Sequence, residues 1–96
     1  MRRAAKVDGN QREVVEALRA VHWAVHHTHM LGQGFPDLVV SKSGHNVLVE
    51  VKMPGEKLTP DEDHFHRNWQ GFIEIVYGAQ DAVDKLERKL MRWSAY

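Results

Sequence analysis

Val47-Leu48-Val49-Glu50-Val51-Lys52 is the segment that leaves this chain the fewest choices. An apolar, mostly β-branched run of this length reads as a buried strand. Such a strand needs helices packed on its sheet, which points to an α/β layer structure. The run also carries two charges. Side chains alternate along a strand, so Glu50 and Lys52 share one face, about 6.6–6.8 Å apart, with Val51 on the other. A carboxylate and an ammonium on a largely apolar strand are costly to bury without partners. A divalent cation and a phosphate would supply both.

The 96 residues make one domain, with no room for a second. A chain this short buries about 60–65% of its unfolded surface, so its core is modest and dimerisation would help to stabilise it. With no cysteine there is no disulfide and no thiolate zinc site, which fits a reducing cytoplasm, of a bacterial cell or a phage-infected host. Residues 1–8 read as a flexible basic arm, not a signal peptide. The apolar runs are too short to span a membrane. The 13 basic residues balance the 13 acidic ones, which argues against an indiscriminate nucleic-acid binder. Acids that ligate a cation would shift the local field towards positive, so any nucleic-acid binding should depend on divalent metal and weaken with salt.

Asn10-Gln11-Arg12-Glu13 is close to a capping box, and Val14, Leu18, Val21 and Val25 follow at helical spacing. The expectation is a helix over residues 10–22, then a strand over 23–28 ended by Gly32-Gln33-Gly34. A second strand is expected over 35–40, a hairpin turn over 41–46 and a third strand over 46–53. Thr59 caps a helix with Pro60 at its first position, running to about residue 69. A fourth strand over 72–76 and a helix over 79–93 complete the order α-β-β-β-α-β-α. The sheet is expected to be mixed, with helices on its faces. Trp69 and Trp93 are expected in the core or a dimer contact, with base stacking as the alternative. Asp84 and Arg88 stand at helical i, i+4 spacing.

Thirteen residues before Glu50 stands Asp37, in Gly34-Phe35-Pro36-Asp37-Leu38. Mg²⁺ favours octahedral oxygen coordination, with one or two carboxylates and several waters. Asp37 and Glu50 on neighbouring strands of one hairpin could converge on such an ion. The backbone carbonyl of Val51 could add a third oxygen. Lys52 would sit beside the attacking water or the phosphate and stabilise charge there.

Gly34-Phe35-Pro36-Asp37-Leu38, Leu48-Val49-Glu50-Val51-Lys52 and Leu58-Thr59-Pro60-Asp61-Glu62 together resemble the VRR-NUC branch of the PD-(D/E)XK nucleases. The likeness covers about residues 10–84. It implies a restriction-endonuclease-like αβββαβ core, dependence on Mg²⁺ or Mn²⁺, and cleavage of DNA phosphodiesters. By that analogy Asp37 and Glu50 are metal ligands and Lys52 the catalytic lysine. Stand-alone chains of this size resemble archaeal Holliday-junction resolvases, which are homodimers. The expected function is therefore a structure-selective endonuclease acting on branched DNA. A flap, mismatch or restriction-type nuclease of the same chemistry, and a catalytically weak DNA-binding module, are the rivals.

The chain departs from the family at Glu62, where a glutamine is usual. An ionised carboxylate cannot donate as an amide does. Two roles are open to Glu62: binding a second metal or a metal-bound water, or complementing a helix N-terminus. Glu13 matches a first-helix glutamate that reaches the metal in many nucleases of this superfamily, or else it caps with Asn10. His26, His27 and Lys42 are the candidate DNA contacts, with solvated histidines the alternative. Neither His26-His27-Thr28-His29 nor His64-Phe65-His66 has the i, i+4 histidine pair of a helical zinc site.

Overall fold

The computed structural model describes residues 9–94; the arm expected over residues 1–8 lies outside them. In chain order the elements are α1 (Gln11–Ala20), β1 (Ala24–His27), a 3₁₀ turn (His29–Leu31), β2 (Leu38–Lys42), β3 (His45–Val51), α2 (Pro60–Asn68), β4 (Ile73–Val76) and α3 (Ala79–Ser94). The strands form one sheet in the order β1-β2-β3-β4. The pairs β1/β2 and β2/β3 are antiparallel, and β3/β4 is parallel. A parallel neighbour needs a crossover, and α2 supplies it. The fold is thus α/β with a mixed sheet, and its element order is compatible with an αβββαβ core. Among the described residues no helix is long and apolar enough to cross a membrane.

Hydrophobic spacing in residues 10–22 carries the helix past its real end. The chain instead turns at His22, which takes a left-handed φ of 75°. The His22 and Trp23 amides then donate back to the carbonyls of Arg19 and Leu18, both at 3.0 Å. That is the Schellman pattern, with histidine where glycine is usual. It delivers Trp23 into the core at 2% exposure, where its indole N–H donates to Glu87 at 2.7 Å.

The hairpin is tighter than residues 41–46 suggested. Only Ser43 and Gly44 turn, at φ 53° and 83°, and Lys42 already pairs with His45. Two central residues at positive φ match the twist of the flanking strands. The second strand starts later than expected, at Leu38. Phe35, Pro36 and Asp37 form an entry segment tied down by the Thr28 side chain on the Pro36 carbonyl and the Thr28 amide on the Asp37 carbonyl, both at 2.8 Å. Asp37 therefore sits at the mouth of the strand.

Alternation divides the sheet into two unlike faces. Leu38, Val40, Val47, Val49, Val51 and Val76 point to one side, where they pack with Val14, Val15 and Leu18 of α1 and Ala82 and Leu86 of α3. Leu48, Glu50 and Lys52 point to the other side, beneath α2. That helix buries no residue fully. The tryptophan of the fully buried core is Trp23; Trp93 is partly buried and packs against that core, and Trp69 does not. Trp69 is 41% exposed, and Trp93 stacks on His45 with ring centres 4.3 Å apart. Asp84 accepts from Gln80 at 2.9 Å in place of the expected partner Arg88.

Candidate active site

The site is assembled from the end of β3, the entry to β2 and the first two turns of α2. The β2–β3 register pairs Leu38 with Val49, so one step further sets Asp37 opposite Glu50 on the same face. Their carboxylates lie within hydrogen-bonding reach of each other. The Val51 amide donates to Asp37 Oδ2 at 2.8 Å and fixes that side chain. The Lys52 amide donates the other way, to the Val76 carbonyl at 2.9 Å. In a planar trans peptide the two groups point oppositely, so the Val51 carbonyl is turned towards Asp37.

Glu50 is 2% exposed and Lys52 6% exposed, so both charges stand in a largely dry setting. Lys52 Nζ meets Glu62 Oε1 at 2.7 Å and lies 3.9 Å from Glu50 Oε2. Glu62 does two jobs with one carboxylate. It closes a capping box, with the Thr59 amide donating to its Oε1 at 2.9 Å and its own amide donating to Thr59 Oγ1 at 3.2 Å. It also holds the lysine. The capping role proposed for the first helix is not formed: the Asn10 amide group donates to the Lys52 carbonyl at 3.1 Å.

Gly34 explains why a glycine opens the Asp37 segment. Its φ is 81°, and a Cβ there would stand 2.3 Å from the Asp61 carbonyl oxygen and 2.9 Å from the Glu62 amide nitrogen. The loop bearing Asp37 thus lies directly against the helix start bearing Glu62. Phe35 meets Phe65 of α2 with ring centres 5.1 Å apart, which locks the same contact from the apolar side.

Burial pushes Glu50 up to about 9, helped by the neighbouring Asp37 and Glu62. Asp37 is also raised by burial, against the pull of the Val51 amide. Burial disfavours the Lys52 ammonium, but Glu62 more than offsets this and raises its pKa. Burial likewise works against the Glu62 carboxylate, yet the Lys52 contact and the Thr59 amide hold it below its usual value. The Asp37 and Glu50 shifts both favour a proton at that pair, while Lys52 and Glu62 form an ion pair. A divalent cation is the natural replacement for that proton.

Four sequence candidates, Asp37, Glu50, Lys52 and Glu62, come together with the Val51 peptide. The others do not. Glu13 is exposed and takes part in no hydrogen bond or ion pair among the described residues, so no contact ties it to the cluster. Lys42 points to the core face, where it donates to Glu87 at 2.8 Å and to the Val21 carbonyl at 2.6 Å. It braces α3 and is remote from the Glu50 face. His27 lies on that same core-side register and meets the Gln11 amide at 3.3 Å. His26 is exposed and shares the Glu50 face, two strands away.

One site residue was missed. His66 lies one helical turn after Glu62, with its side chain 11% exposed and its Nε2 3.9 Å from Glu50 Oε1. Neither of those two atoms has a hydrogen-bond partner. Burial lowers the pKa of His66 and so favours the neutral ring. The signal was present as a Glu62–His66 pair at i, i+4; a search for two histidines at that spacing passes over it.

Asp37, Glu50 and the Val51 carbonyl make a hard-oxygen set of the kind Mg²⁺ or Mn²⁺ accepts with waters completing the shell. The orphaned Glu50 Oε1 leaves one oxygen free for such an ion. Among the described residues no three histidine or carboxylate side chains close round a point as a finished cage. The protein's share is an open edge and not a full shell. Comparison of the chain with protein-family models, with curated proteins and with solved structures found no match.

Proposed function

We propose that this chain is a metal-dependent endonuclease that hydrolyses DNA phosphodiesters, selective for branched DNA such as a four-way junction and acting as a homodimer. The observation that carries the reading is the meeting of Asp37 and Glu50 across the β2–β3 hairpin, with Lys52 on the same face. A buried carboxylate, a half-buried one beside it and a buried ammonium are an expensive set to keep in so small a protein, and perturbed clusters of that kind concentrate at functional sites. The motif resemblance to VRR-NUC nucleases supports DNA as the substrate and the junction as its shape.

A bound Mg²⁺ or Mn²⁺ ion supplies charge neutralisation at the phosphate and activation of water. The chain's residues do the rest. Asp37 is pinned by the Val51 amide, so its free oxygen has a fixed direction. Lys52 has three ammonium donors, one of which is on Glu62. The remaining donors are free to orient the attacking water or to stabilise the charge that grows on the phosphate oxygens. Glu62 is a positioning residue, because it acts through Lys52. One chain carries one such site, and two symmetric nicks need two; a two-fold dimer provides the pair.

The test is cleavage of a four-way junction, a flap, a nicked duplex and a linear duplex, with Mg²⁺ or Mn²⁺ and with chelator. Paired symmetric nicks on the junction, dependent on metal, are expected. Asp37→Asn and Lys52→Ala should each lower the rate by about 10²-fold or more while junction binding survives. Equal rates on all four substrates would refute junction selectivity and favour a general nuclease. Binding without cleavage by the unaltered protein would favour a DNA-binding module.

A further inference from the structure

The second and third turns of α2 place His66 over Glu50, on the side away from Lys52. Both facing atoms, His66 Nε2 and Glu50 Oε1, are buried and unpartnered, 3.9 Å apart. That gap is too wide for a hydrogen bond, which needs about 2.7–3.2 Å. It is wide enough to admit a cation: with bonds of about 2.0–2.2 Å, two donors of one cation stand about 3 Å apart when adjacent and about 4.2 Å when opposite, so the 3.9 Å gap needs only a small side-chain shift to hold one. The charge around the gap selects what fills it. Asp37, Glu50 and Glu62 crowd one ammonium, and that ammonium is already bonded to Glu62. A neutral water would leave the imbalance in place, whereas a cation corrects it.

We propose that His66 is a protein ligand of the divalent cation held at Glu50, and that its imidazole makes the site favour Mn²⁺ and Co²⁺ over Mg²⁺. The inference rests on the reading of Asp37 and Glu50 as cation ligands. Carboxylate, carbonyl and water suit Mg²⁺; an imidazole nitrogen adds affinity for the later transition metals. His66, Glu50, Asp37 and the Val51 carbonyl would then be the protein's ligands, leaving room for water and a phosphate oxygen. The chain reaches this with a helix residue, which the capping box and the Lys52–Glu62 contact set above Glu50 when α2 is seated.

The experiment titrates the metal-free protein with Co²⁺, Mn²⁺ and Mg²⁺ by calorimetry, for the unaltered chain, His66→Ala and Glu50→Gln. Proton NMR of the Co²⁺ form reads the ligand directly. The expected result is that His66→Ala weakens Co²⁺ binding by about tenfold or more and leaves Mg²⁺ binding nearly unchanged. A hyperfine-shifted imidazole N–H signal should appear in the unaltered protein and vanish in His66→Ala. Circular dichroism and thermal unfolding of the variant establish that it is folded. Unchanged Co²⁺ affinity in folded His66→Ala, alongside loss in Glu50→Gln, overturns His66 as a ligand and leaves the carboxylate site standing. Failure of the unaltered protein to bind any of the three ions overturns the carboxylate site itself.

Discussion

Glu50 sits at 2% exposure in a strand whose other buried members are valine and leucine. Taking one ion out of water costs several kcal/mol even after relaxation. The metal-free protein escapes that cost by protonating the carboxyl, since its pKa is raised to about 9 by burial and by Asp37 and Glu62. The folded state thus binds more protons than the unfolded one between the ordinary value of 4.5 and about 9. Stability must then fall as pH rises through that window. Thermal unfolding in chelator should show this fall, and Glu50→Gln should flatten it while raising the melting temperature at pH 8. A slope unchanged by the substitution would place the responsible proton elsewhere. At this scale the sequence was readable where chemistry and alternation agree. Asp37, Glu50, Lys52 and Glu62 could be named because strand period and hairpin order bring them together. His66 could not, because its role depends on the height of α2 above the sheet. Lys42 misled for a related reason: a cation next to a turn looks free until Glu87, 45 positions away, is packed against it.

Among the elements, α2 and the loop before β2 form one unit through a single close approach. Gly34 lets the backbone of that loop lie on the Asp61–Glu62 peptide. Gly34→Ala combines an unfavourable positive φ with a steric clash, and should cost about 2–4 kcal/mol of stability in urea unfolding. Cleavage should suffer beyond the loss of folded protein, because Asp37 and Glu62 move apart together. Retained stability with full cleavage would show that the contact is not needed. The order of helices and strands was legible, from hydrophobic period in α1 and α3 and from the Thr59–Pro60 start in α2; the 3₁₀ turn at His29–Leu31 was not. Boundaries were less so. The end of α1 hinges on His22 accepting a left-handed turn, and β2 starts late because Phe35 and Pro36 are held by Thr28. Neither effect has a local hydrophobic signature.

The molecule as a whole is asymmetric. One face of the sheet is closed by α1 and α3 over a continuous apolar core, and the other carries the charges under a helix that buries nothing fully. Helices were expected on the faces of the sheet, and a count of hydrophobic residues could not have told the two faces apart. What keeps α2 in place is a short set of contacts: the Thr59–Glu62 box, the Lys52–Glu62 pair, the edge contact of Phe65 with Phe35 and its stack on Trp69. Stability is unevenly distributed in such a case, and the thinly held part opens first. Amide protons of residues 63–68 should exchange with deuterium well before those of residues 47–51, and a bound cation should slow the former more. The roof over the carboxylates is thus the weakest-fastened piece of the architecture. For the DNA substrate proposed above, entry would then need only one short lid to lift, with the foundation beneath left undisturbed.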